Sequence, residues 1–80
     1  MANSKQPIDS EAFGEGARHY FLDLFPAANG SKYLRITRSD HQPDNSYKRS
    51  QVVVFEEDLF FLVEGLSMLL SRAQVQLNAA

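Results

Sequence analysis

Residues 47–73, YKRSQVVVFEEDLFFLVEGLSMLLSRA, carry the change of period that decides the fold. From Tyr47 the chain reads as extended, and the β-branched run Val52-Val53-Val54 belongs in a well-buried strand with Val52 and Val54 on its core face. At Glu56-Glu57-Asp58 the period changes. Leu59, Leu62, Val63, Leu66, Leu69, Leu70 and Ala73 then recur at the spacing of one face of an amphipathic helix. The three acids complement the positive end of the helix dipole and Arg72 the negative end, which explains the acidic trio without a catalytic role. Gly65 inside this helix costs about 1 kcal/mol relative to alanine and implies a close packing contact there.

Phe60 and Phe61 point about 100° apart on a helix, so with the Leu59 stripe they make it apolar over more than half its circumference. One sheet cannot cover that girth. Either a partner subunit meets the remainder, with Phe60, Phe61, Leu69 and Leu70 as interface candidates, or the N-terminal segment folds over it.

Upstream, Lys32–Ser39 (KYLRITRS) places Leu34 and Ile36 on one face and Tyr33, Arg35 and Thr37 on the other. Arg18–Leu24 (RHYFLDL) divides in the same way, with Tyr20, Leu22 and Leu24 opposite His19, Phe21 and Asp23. Between these strands lies FPAANGS, whose Asn29-Gly30 pair tolerates the positive φ of a hairpin turn. Asp40–Ser46 (DHQPDNS) is a polar loop broken by Pro43, and Gly14-Glu15-Gly16 is a turn following a weak strand candidate, Ile8–Phe13. The fold class expected from the pattern is α+β: an antiparallel sheet followed by one C-terminal helix. Residues 1–7 read as a flexible arm, 8–75 as the single domain and 76–80 as a tail.

Eighty residues without cysteine have no disulfide or thiolate metal site to stabilise them, and a chain this short buries only about 60–65% of its unfolded surface. A second subunit is the easiest remaining source of stability. The net charge of −2 argues against an indiscriminate nucleic-acid binder. The distribution is uneven, however: between Lys32 and Arg49 five cations meet two acids, whereas Ser50–Ala80 carries four acids against Arg72. No basic segment followed by an apolar run opens the chain, and no apolar stretch approaches the roughly 20 residues of a membrane span, so the expected location is cytoplasmic.

Catalytic signatures are missing from the sequence: no P-loop, GxSxG or GxGxxG pattern occurs. His19 and His41 lack metal-ligand spacing. The expectation is a binding protein with no metal, cofactor or small-molecule substrate. Aromatics interleaved with cations on the sheet face away from the helix fit single-stranded nucleic acid, whose bases stack on rings while Lys and Arg meet phosphates. On pattern alone, a second sheet packed across the same aromatics is the better explanation of them.

The succession RHYFLDL, turn, KYLRITRS, then RSQVVVFEED leading into the helix resembles one repeat of the PUR family of single-stranded nucleic-acid-binding proteins, over Ile8 to about Ala73. The resemblance implies four antiparallel strands and a helix per repeat, with two repeats interlocked. Single-repeat bacterial members imply an intertwined homodimer. It also implies purine-rich single-stranded DNA or RNA as partner, bound on the outer sheet surface, with Tyr33 separating stacked bases and Phe21 as a second stacking ring. Lys32, Arg35, Arg38, Lys48 and Arg49 would meet phosphates, and Asn29 and His19 follow as further candidates. The hairpin departs from the family pattern: of its alternating lysine, asparagine and arginine, only Asn29 has a counterpart. A dimeric protein-interaction module of the same fold is the alternative.

Overall fold

The computed structural model describes residues 6–73. Strands β1 (Asp9–Glu15), β2 (Arg18–Pro26), β3 (Lys32–His41) and β4 (Tyr47–Phe55) form one antiparallel sheet in sequence order, and α1 (Glu56–Ala73) follows without a loop. The α+β architecture is the one the periodicities specify. The first strand is displaced: it starts at Asp9 and runs through Gly14 to Glu15 instead of ending at Phe13. Except for Gln6 and Pro7, the expected arm lies outside the described residues, as do residues 74–75 of the expected domain and the tail.

Turn chemistry fixes the register. Glu15 pairs with Arg18 across the two-residue connection Gly16-Ala17, and Gly16 at φ 66° sits where a II′ hairpin turn requires glycine. Gly14 is not part of that turn. It lies opposite His19 at φ 151°, where a β-carbon would fall 2.6 Å from the His19 Cα.

The other two hairpins share one design. Ala27 N–H donates to the Ser31 carbonyl (2.9 Å) and Gly30 N–H to the Ala27 carbonyl (3.1 Å); Gln42 N–H donates to Ser46 (2.8 Å) and Asn45 N–H to Gln42 (2.9 Å). Gly30 (φ 87°) and Asn45 (φ 71°) take the left-handed position in each. One residue earlier, Asn29 Oδ1 accepts the Ser31 N–H (3.0 Å) and hydroxyl (2.7 Å), while Asp44 Oδ1 accepts the Ser46 N–H (3.0 Å) and hydroxyl (2.6 Å). The Ser46 hydroxyl, then its backbone N–H, hold the Asp44 carboxyl below its ordinary range.

With continuous registers, alternation assigns the two faces. One is aliphatic, built from the cross-strand rows Leu22–Ile36–Val52 and Leu24–Leu34–Val54, with Phe13 stacked on its partner Tyr20 at 5.1 Å. The other carries the aromatic and basic side chains.

The helix leaves the aliphatic rows half-open. It contacts β3 and β4 but not β1 or β2, and its start is tied down where the Lys32 N–H donates to the Glu56 carboxylate at 2.7 Å. Phe60 and Phe61 remain 67% and 66% exposed, and Leu69 is exposed as well, while Leu70 is half-buried. Among the described residues Phe25 is the one buried hydrophobic side chain, at 3% exposure. Gly65 makes no close contact within the chain, contrary to the sequence expectation, because nothing lies within 4 Å of a β-carbon built there. The radius of gyration is 15.3 Å, against about 12 Å for a compact chain of this length. The accessible surface is 6629 Å², against about 4,900 Å² for a compact 9.0 kDa monomer.

Candidate nucleic-acid interface

The second face is a ladder of cross-strand rows: Phe25–Tyr33–Phe55, Asp23–Arg35–Val53, Phe21–Thr37–Gln51, His19–Ser39–Arg49, and finally His41–Tyr47. Rings and cations alternate from row to row because the β2–β3 and β3–β4 loops set these registers. Strand β1 contributes only small groups beside it, Ser10, Ala12 and Gly14 opposite Asp23, Phe21 and His19. The Phe21 ring is therefore not overhung from that side.

At the end nearest the helix, the Phe25 and Tyr33 rings stack at 5.4 Å and 21°, and the Arg35 guanidinium carbon lies 4.6 Å over the Phe25 centroid. Arg35 also faces Asp23 at 3.7 Å, and the other Asp23 oxygen accepts the Ser10 hydroxyl at 2.6 Å. The Arg35 Nε is buried without a hydrogen-bond partner. This arrangement holds the guanidinium over the Phe25 ring and sets a carboxylate against its charge. Next to it, Phe21, Asp23, Arg35, Thr37, Arg49 and Gln51 line an open depression of about 240 Å³. Its edges are a ring, an amide, a hydroxyl, a carboxylate and two guanidinium groups. Those groups suit a planar, hydrogen-bonding ligand with an adjacent anion.

Alternation separates the candidates that sequence proximity had joined. Tyr33, Arg35, Phe21, His19 and Arg49 share the face. Lys32, Arg38 and Lys48 do not, since they pair with Pro26, Tyr20 and Asp40 and belong to the aliphatic side. Arg38 is also engaged there: its Nε donates to Asp40 Oδ1 at 3.1 Å, and that hydrogen bond, followed by the Asp40 charge, raises its pKa further. Asn29 sits at the β2–β3 tip with its carbonyl oxygen satisfied by Ser31, a structural duty sufficient to explain it. Among the described residues Arg49 has no carboxylate partner, so it is the strongest open cation of the face.

Sequence reading overlooked Phe25, Gln51 and Phe55. Phe25 lay in what read as the turn; alternation from Val52 and Val54 puts Gln51 and Phe55 opposite the core face, but the rows they join depend on a register that no sequence pattern fixes. No protein-family model matches the chain, and no curated protein matches it. No helix among the described residues is long and apolar enough to cross a membrane.

Proposed function

We propose that the chain is a cytoplasmic binding module that forms an intertwined homodimer and presents the aromatic face of each sheet to single-stranded DNA or RNA. The observation that carries the binding half is the ladder itself, which sets Phe21 and Tyr33 among Arg35, Arg49 and Gln51 on one face of the sheet. Bases would stack on the rings for about 1–3 kcal/mol each, while Arg49, and Arg35 to a lesser degree, meet phosphates. The purine-rich preference implied by the resemblance belongs to the same proposal.

The dimer half rests on surface. The half-open aliphatic rows and the exposed Phe60, Phe61 and Leu69 supply apolar material for it.

A titration of labelled single strands at low salt tests the binding. Two arginine contacts give a log–log salt slope of about −1.4, and absence of binding rejects the reading. A second reading, protein recognition on the same face, is favoured by the exposed Val53 and Phe55 and by Asp23 offsetting Arg35. It predicts no strand binding by an intact dimer.

A further inference from the structure

The ladder ends, on the side away from the helix, in a patch that base stacking does not use. His19 stands opposite Ser39, and Ser39 opposite Arg49. Ser39 is 6% exposed, so its small side chain forms a floor between two longer basic ones. Two residues further along, His41 pairs with Tyr47, their rings 5.0 Å apart and tilted by 54°. His19, His41 and Tyr47, with Gly16 and Ala17, line an open cleft of about 390 Å³, and Arg49 stands beside it across Ser39. Sheet spacings of about 5 Å across strands and 7 Å along them put the three basic groups within about 10 Å.

No carboxylate enters this patch from the described residues. Around His19 stand Gly14 of β1 and Thr37, Ser39 and His41 of β3; around His41 stand Tyr47 and Arg49 of β4 and Ala17 of the first turn, whose carbonyl accepts the His41 N–H at 2.8 Å. Glu15 and Asp40 fall on the opposite face by alternation, and Asp44 is occupied by Ser46. Asp23 lies four residues along β2 from His19, about 13 Å away, and faces Arg35, although it shares with Arg49 the lining of the neighbouring depression. The patch is also far from α1, which begins after Phe55, at the other end of β4.

The geometry points to a phosphodiester subsite at this end of the sheet, in which Arg49 supplies a permanent charge and His19 and His41 add theirs when protonated. The inference rests on the reading that this face binds single strands, and it adds a regulator. A phosphate oxygen favours the protonated imidazoles, so binding takes up protons. Affinity is then greater where the imidazoles are protonated and falls as pH rises.

The test is a fluorescence-anisotropy titration of a 5′-hydroxyl, purine-rich DNA single strand at fixed ionic strength, at about pH 5.5 and about pH 7.5. Backbone phosphodiesters keep one charge over that interval, so only the protein titrates. The wild-type dimer is expected to bind roughly tenfold tighter at the lower pH, and the double variant His19→Gln/His41→Gln to change by less than about twofold. The same pH ratio in both proteins, or none in the wild type, overturns the subsite. If no strand binds at either pH, the functional reading fails separately. An NMR titration with inorganic phosphate at about pH 5.5 then decides the subsite alone. Saturable shifts of both imidazole resonances uphold it, and unmoved resonances discard it.

Discussion

The Arg35 guanidinium lies over the ring of Phe25, 4.6 Å from its centroid, while Tyr33 stacks against the same ring from the neighbouring strand. Phe25 therefore anchors the aromatic face as well as being the most buried hydrophobic side chain described. Phe25→Ala removes ring burial, the stack and the cation–π contact together. A loss of about 3–4 kcal/mol in urea unfolding is expected. A loss under about 1 kcal/mol means that the ring is not an anchor.

The paired hairpin designs give substitutions of opposite sign. Gly30→Ala forces a β-carbon into the left-handed position and should cost about 1–2 kcal/mol. Asn45→Gly relieves the equivalent position and should change stability by only a few tenths of a kcal/mol, in the favourable direction. Thermal unfolding of both variants checks the ordering, which a shared direction of change would contradict.

Asp44 makes one hairpin acid-sensitive. Its folded-state carboxyl titrates below the ordinary value, so its share of stability is present above the unfolded pKa and is lost as pH falls through the lowered one. Asp44→Asn should remove that share while keeping the turn, since Asn29 fills the equivalent place in the other hairpin. The wild type's advantage in melting temperature over the variant should then shrink below about pH 4. A difference that stays constant with pH argues against the Ser46 contacts.

Dimerisation predicts a mass near twice 9.0 kDa by light scattering and a melting temperature that rises with concentration. Gly65, open on its own chain, becomes informative here. In an isolated helix Gly65→Leu is favourable by up to about 1 kcal/mol, whereas against a close partner it overpacks by about 1–3 kcal/mol. The account expects weaker dimers, and a monomeric wild type contradicts it.

Much of this was legible before any coordinates. Period 2 gave the face of each residue in β2 and β3, and the shift at Glu56 located the helix to the residue. What sequence could not supply was register between strands. Alternation from Val52 and Val54 sets Arg49, not Lys48, on the face of Arg35, but the row it joins depends on the five-residue β3–β4 loop that Asp44 and Asn45 close. Lys32 and Arg38 were grouped with Tyr33 by closeness in the chain, although alternation separates them. Ile8–Phe13 was a weak strand because Phe13 finds its apolar partner, Tyr20, only across the hairpin. Gly14 read as part of a turn, since the close backbone of His19 that requires glycine there leaves no trace in composition.

Lys48 and Arg49 are neighbours in β4 with the same formal charge on opposite faces, and a single-strand binding titration of their alanine variants probes the central claim most directly. Arg49→Ala should weaken binding roughly five- to tenfold and reduce the salt slope by about 0.7, whereas Lys48→Ala should cost less than about twofold. Equal losses for the two, or a larger one for Lys48, would mean that the strand does not lie on the aromatic face.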